Sequence, residues 1–128
     1  MYRVGKISRA IYGCVSTDIK TNEVIITNRQ MMHIKERHPE ACEQLMEHIK
    51  DALEEPDYIL ADKHENTALV VKRLKIGKTW GQVVLRLCTS TDEPSYKNSV
   101  ISYWEISDKR LQSYLRNKKV LYKKEYSE

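Results

Sequence analysis

The sequence predicts an α+β protein, in which N-terminal helices pack on one face of an antiparallel sheet and a further helix lies near the C-terminus. Two observations lead to this prediction. Apolar residues recur at steps of three and four in residues 29–54, as in helices, and mainly at steps of two in residues 58–106, as in strands. The length of 128 residues fits a single domain covering residues 1–128.

The N-terminal third of the chain contains the first predicted helices. Residues 1–22 fit either a short strand or a loosely packed arm, and a strand follows at 23–27. Asn28 is a suitable N-cap for a helix over residues 29–37, because its side chain can accept a hydrogen bond from a first-turn amide. Pro39 ends this helix and can open a second one over residues 40–54. The apolar stripe of the second helix is formed by Cys42, Leu45, Met46, Ile49 and Leu53.

The remaining elements are mostly strands. An alternating pattern and the turn sequence GKTWG predict an antiparallel hairpin, with a further strand on either side of it. The last helix buries Leu111, Tyr114 and Leu115, and the sequence KVLYKK after it can add an edge strand. The predicted strands are 58–62, 67–76, 80–89 and 99–106, and the predicted helix is 108–117.

Composition and charge limit the class of protein. The chain is 41% hydrophobic and 31% charged and has no apolar run near the length of a membrane helix, so we expect a cytoplasmic protein with no membrane partner. Its three cysteines are widely spaced, which disfavours a disulfide framework. Residues 40–57 carry seven acids and one base, whereas residues 108–128 carry seven bases and three acids. A polyanion such as RNA would approach the basic part, although such charge runs are often only solvated surface.

The sequence NRQMMHIKERHPE, residues 28–40, contains two of the four histidines. His33 and Arg37 are four residues apart and therefore share a helix face. His33 and His38 are five apart, which places them about 140° from each other around a helix. A helical zinc site of the H-E-x-x-H type needs histidines four apart, so we predict no metal site here.

Further candidate residues lie on the predicted sheet. Lys72 is flanked on its own face by Val70 and Leu74, and it is either a site residue or a lysine whose ammonium reaches solvent. Each of the other candidates also has a structural explanation, such as an Arg86–Glu105 cross-strand ion pair, a core role for Tyr103, or a helix-capping role for His38. The sheet candidates are Lys72, Arg73, Arg86, Tyr103 and Glu105.

These residue types suit the cleavage of a phosphodiester. Arginine and lysine stabilise the extra negative charge of a pentacoordinate phosphorane, and an acid/base pair moves the two protons of the reaction. The reaction needs no metal. By strand alternation Ser102 and Arg86 fall on different faces, so they can share one site only if a bulge or a strong twist intervenes.

Three motifs resemble the phage-type branch of the barnase, EndoU, colicin and RelE-like nuclease superfamily. They are HIKERHPE at 33–40, EEPDYIL at 54–60 and KNSVISYWEI at 97–106, and the similarity extends from about residue 23 to residue 124. The resemblance implies a fold in which N-terminal helices pack on a four-stranded antiparallel sheet. It also implies a nuclease domain that cleaves RNA without a metal or other cofactor, through a 2′,3′-cyclic phosphate. It further implies catalytic roles for His33, His38, Lys72 and Ser102, where threonine is the more familiar residue at the last position.

The leading hypothesis is a phage-associated or toxin-like endoribonuclease, with RNA and a cognate inhibitor (antitoxin) protein as partners. In this hypothesis His33 is a general acid or base, and His38 is a second acid/base group or a substrate contact. Lys72 and Arg86 stabilise the phosphate, and Ser102 donates a hydrogen bond to it. Substrate contacts are assigned to Arg37, Arg73, Tyr103 and Glu105. The alternatives are a non-catalytic RNA-binding or regulatory module on the same fold, and a metal-dependent hydrolase, which the ligand spacing disfavours.

Overall fold

A computed structural model describes residues 2–37, 42–74, 79–93 and 95–124, without the side chains of Cys42 and Glu43. Predicted features at His38, Pro39 and Gly77–Lys78 lie outside the described residues. The described helices are α1 (Arg9–Tyr12), α2 (Asn28–Arg37), α3 (Cys42–Glu54) and α4 (Asp108–Asn117). The described strands are β1 (Tyr2–Lys6), β2 (Glu23–Ile26), β3 (Tyr58–Ala61), β4 (Thr67–Arg73), β5 (Thr79–Arg86), β6 (Asn98–Ser107) and β7 (Val120–Lys123).

The α+β class is confirmed, but the predicted four-stranded antiparallel sheet with N-terminal helices is wrong. The strands form one mixed seven-stranded sheet in the order β1-β2-β6-β5-β4-β3-β7. Its centre, β3 to β6, contains the four predicted strands in antiparallel pairs. Three further strands extend this centre, and the prediction did not place them in the sheet. Strand β2, predicted at 23–27, pairs with β6 in parallel, β1 extends that edge, and β7, where the sequence allowed an edge strand, extends the other edge beside β3. Strand β1 also precedes every helix.

Helices cover both faces of the sheet. Helices α1, α2 and α3 pack on one face, where Val24, Val70, Leu85 and Tyr103 belong to the main core. Helix α4 packs on the opposite face, where its buried Leu111 lies with residues such as Leu69 and Ile106. The two faces therefore present different side chains from each strand, as alternation requires.

The segment before β2, from Tyr2 on, takes part in this core. Val4 and Ile7 are buried, and Tyr12 in α1 is completely buried. The Tyr12 hydroxyl donates a 2.8 Å hydrogen bond to the carbonyl of Leu53 at the end of α3. Burial raises the pKa of this hydroxyl above its ordinary value, so it remains a donor. The sequence allowed either a short strand or a loosely packed arm here, and the structure has the strand, β1.

A buried asparagine joins the parallel pair β2–β6 to the rest of the sheet. The Nδ2 of Asn98 donates to the carbonyls of Thr21 and Glu23, at 2.7 and 2.9 Å. Its Oδ1 accepts from the amide of Cys88 at 2.7 Å. One fully buried side chain thus satisfies three backbone groups where three segments meet.

Helix α2 starts one residue earlier than predicted. The hydroxyl of Thr27 accepts a hydrogen bond from the amide of Gln30 at 3.2 Å, and Asn28 is already helical. Thr27 therefore takes the capping position that the sequence assigned to Asn28. Because β2 ends at Ile26, α2 follows directly where β2 stops pairing with β6.

A β-bulge changes the face pattern of β6. Val84 pairs with Ser102 and Leu85 pairs with Val100, so Ile101 is the extra residue. Val100 consequently packs in the α2–α3 core, while Trp104 and Ile106 pack in the α4 core. Without the bulge, strand alternation would place Val100, Trp104 and Ile106 on one side of β6.

Candidate active site

A cleft lies between α2 and β6, on the face of the sheet that α1, α2 and α3 cover. Its volume is about 160 Å³. It unites four residues that the sequence predicted for the site from two distant segments, namely His33, Arg37, Ser102 and Tyr103. Gln30 and Ile34 complete the lining.

Helix geometry explains the α2 wall of this α2–β6 cleft. Gln30, His33, Ile34 and Arg37 follow the i, i+3, i+4, i+7 pattern and therefore form one stripe. Ile34 is buried and fixes the stripe against the core, while His33 and Arg37 are exposed. Gln30 was not among the predicted site residues, although the same helical spacing that pairs His33 with Arg37 also includes it.

Tyr103 forms the buried part of the β6 wall. Gly81 on the neighbouring strand leaves space for its ring, since a Cβ at Gly81 would lie 2.7 Å from the Tyr103 hydroxyl. This hydroxyl is buried and has no hydrogen-bond partner among the described residues. Burial, with a smaller contribution from the Glu105 carboxylate, raises the pKa of Tyr103 to about 12. Near neutral pH the hydroxyl therefore keeps its proton and can only donate or accept a hydrogen bond.

Glu105 and Lys72 lie on the same face of the sheet as Tyr103, level with Gly81 of β5. Both pair with Gly81, from β6 and from β4. Two strand spacings separate them, or about 10 Å between Cα atoms. Lys72 lies in a separate groove with Asp51, Glu54 and Glu55, where its ammonium donates a 2.9 Å hydrogen bond to the Glu55 carbonyl. Lys72 therefore contacts the C-terminal end of α3, and it is not part of the α2–β6 cleft lining.

The structure does not bring Arg73 and Arg86 to the cleft. Alternation places Arg73 with Val71, and Arg86 with Val84, on the face that α4 covers. Arg86 forms a 2.9 Å ion pair with Asp92 in the loop that follows β5. A hydrogen bond from the Thr89 amide, reinforced by Arg86, lowers the pKa of Asp92 below its ordinary range. The predicted Arg86–Glu105 pair is not formed, since Arg86 pairs across to Ser99.

The remaining sequence predictions concern a second histidine and a metal. His38 lies outside the described residues. Within residues 2–37, 42–74, 79–93 and 95–124, no three histidine, cysteine or acidic side chains are grouped as metal ligands. No helix in this part of the chain is long and apolar enough to cross a bilayer.

Fold and cleft together define an α+β protein in which an exposed imidazole and a guanidinium on α2 face Ser102 and Tyr103 of β6 across one small cavity. A model of the family described as phage-Barnase-EndoU-ColicinE5/D-RelE like nuclease2 matches residues 4–123. The chain belongs to this family, which confirms the resemblance found in its motifs, and the family name indicates a nucleolytic enzyme. Comparisons with curated proteins and with solved structures gave no match.

Proposed function

We propose that this protein is a metal-independent endoribonuclease that cleaves RNA through a 2′,3′-cyclic phosphate, with the α2–β6 cleft as its active site. The observation that carries the proposal is the convergence of His33 and Arg37 with Ser102 and Tyr103 around one cavity. Family membership supports a nucleolytic reaction. The choice of RNA rests on the residue types, because an imidazole can exchange a proton with a ribose 2′-hydroxyl near neutral pH.

The proposed reaction is a transesterification. The 2′-oxygen attacks phosphorus and gives its proton to a base, the bond from phosphorus to the 5′-oxygen breaks, and that oxygen takes a proton from an acid. The products are a 2′,3′-cyclic phosphate and a 5′-hydroxyl. His33 fills one of the two proton-transfer roles. His38 is the predicted partner, and the exposed carboxylate of Glu105 beside Tyr103 is the candidate among the described residues.

Arg37 would stabilise negative charge on the phosphate. It presents a planar guanidinium that can bind two non-bridging oxygens at once. Ser102 lines the cleft, but its pairing with Val84 directs its side chain toward the α4 face, and the Tyr103 hydroxyl is buried beside Gly81. Arg37 is therefore the charge-stabilising side chain that the described residues supply to the cleft. Such a donor accelerates the reaction when it is oriented before substrate binds.

The test compares wild type with His33→Ala on end-labelled RNA in excess chelator. Loss of the proton-transfer group should lower the cleavage rate by about 10²- to 10⁴-fold. His64→Ala is the matched control, because His64 is an exposed histidine in the turn between β3 and β4. The fragments should carry a 2′,3′-cyclic phosphate, identified by mass.

Three results would contradict the proposal. RNA binding without cleavage would indicate the non-catalytic RNA-binding module. Cleavage that chelator abolishes would indicate a metal enzyme. If His33→Ala cleaves RNA as fast as wild type, the α2–β6 cleft is not the active site.

A further inference from the structure

Positive charge is concentrated on α4 and β7, outside the cleft. Residues 108–124 contain seven basic side chains and one acidic side chain, Asp108. Among them Lys109, Arg110 and Arg116 are exposed on α4. The face of α4 that is not packed on the sheet is therefore strongly positive.

This positive face contains a groove of about 400 Å³. Its volume exceeds that of the α2–β6 cleft. The groove, called here the α4 groove, is lined by Ser107, Lys109, Arg110, Ser113 and Tyr114. Its walls thus combine two cations, two serine hydroxyls and a tyrosine ring.

The cations of the α4 groove are not neutralised within the part of the chain that the structure describes. Neither Lys109 nor Arg110 has a carboxylate of a described residue within ion-pair distance. Asp108 accepts a 3.2 Å hydrogen bond from the Trp80 indole instead. An anion that entered the groove would accordingly meet two cations without displacing a carboxylate of the described chain.

A further cation lies beside the aromatic ring of the groove. The ammonium of Lys118 lies 5.1 Å from the centre of the Tyr114 ring. Tyr114 is half-buried, and it packs against the core beneath α4. Cations that contact phosphates, together with an aromatic ring on which a base can stack, are the combination that binds single-stranded nucleic acids.

We propose that the α4 groove binds the phosphate backbone of single-stranded RNA on the part of the substrate that extends beyond the cleft. This inference rests on the proposed function, because RNA is the substrate assumed there. Strand β6 connects the two sites, since Ser102 lines the cleft and Ser107 lines the groove. Five residues of strand, or about 17 Å, separate them along β6, and because the two sites lie on opposite faces of the sheet the RNA also has to pass around the end of β6.

The experiment measures RNA affinity for Lys109→Ala/Arg110→Ala over a range of salt concentrations. The probe is 2′-O-methyl RNA of about 16 nucleotides, compared with one of about 4 nucleotides. This RNA lacks the 2′-hydroxyl that the proposed reaction needs, so binding is measured apart from cleavage. Loss of two phosphate contacts should weaken binding of the longer RNA by roughly tenfold or more and reduce the log–log salt slope by about 1.4.

Lys20→Ala/Lys63→Ala is the matched control, because it removes two exposed cations from other parts of the surface. The control should retain the affinity and salt slope of wild type, and only the α4 variant should lose the preference for the longer RNA. An unchanged affinity and slope in the α4 variant, or an equal loss in both variants, would overturn the α4 proposal. Neither result bears on cleavage by His33, so failure here is distinguishable from failure of the proposed function.

Discussion

At the scale of single residues, Gly81 and Tyr103 are coupled by a close approach. A methyl group at Gly81 would lie 2.7 Å from the hydroxyl and 3.1 Å from Cε2 of Tyr103. Because the ring is buried in the core, we expect Gly81→Ala to lower the free energy of unfolding by about 1–3 kcal/mol. Urea denaturation measures this loss.

Tyr103→Phe provides the control for this prediction. It removes the nearest atom and a buried hydroxyl without a partner among the described residues, so its own effect on stability should be near zero or stabilising. In the Tyr103→Phe background Gly81→Ala should therefore cost about 1 kcal/mol less than in wild type. If the two effects are additive in the double-mutant cycle, the contact with the Tyr103 hydroxyl is not what makes alanine unfavourable at residue 81.

A second prediction at this scale concerns Asp92, the partner of Arg86. Its pKa is lowered in the folded protein, chiefly by the Thr89 amide and then by Arg86. The resulting stabilisation is present above the unfolded pKa of about 4 and is lost as pH falls through the lower folded value. Asp92→Asn should thus be less stable than wild type near neutral pH, and the difference should shrink below about pH 4.

Thermal unfolding at a series of pH values tests the role of Asp92. Glu93→Gln is the control, because this neighbouring carboxylate is exposed. A difference between Asp92→Asn and wild type that stays constant with pH would exclude the proposed linkage. If Arg86 stabilises the fold through Asp92, Arg86→Met should show the same pH dependence of stability. If Arg86 instead binds the phosphate, its removal should lower the cleavage rate.

At the scale of elements, the parallel junction of β2 and β6 depends on Asn98. Its side chain joins backbone groups of Thr21, Glu23 and Cys88 in a fully buried position. Asn98→Ala leaves these groups unpaired, so we expect a loss of about 3 kcal/mol in the free energy of unfolding. Chemical denaturation measures it.

Asn117→Ala is the matched control for Asn98→Ala. Asn117 is exposed at the end of α4, where its side chain donates to the Ser113 hydroxyl at 3.3 Å. Its removal should change stability by about 0.5 kcal/mol or less. Similar losses in the two variants would mean that the three buried hydrogen bonds do not set the stability of the junction.

The sequence predicted most elements, because their signals are local. Helix α4 and the four central strands follow directly from apolar spacing. The bulge at Ile101 was not predicted, since it depends on the register between β5 and β6 and leaves no local pattern. It is nevertheless the feature that moves Val100 and Trp104 to opposite faces.

At the scale of the whole molecule, strand pairing was the main error. Strand β2 was predicted from its residues, but its parallel pairing with β6 joins segments about 75 positions apart and could not be inferred from either segment alone. The same limit applies to the site. His33 and Arg37 follow from helix geometry, whereas the position of Lys72 beside the end of α3, and of Arg86 beside Asp92, depends on tertiary packing.

The α2–β6 cleft also has a consequence for the order of events in biosynthesis. His33 comes from the first third of the chain, and Ser102 and Tyr103 come from the last third. Contacts so distant in sequence close late in folding, because the intervening loop entropy must be overcome first. A nascent chain that ends before β6 has the histidine but no opposing wall. Under the proposed function, the ribosome that synthesises this nuclease is therefore not exposed to a completed active site until nearly the whole domain has been translated.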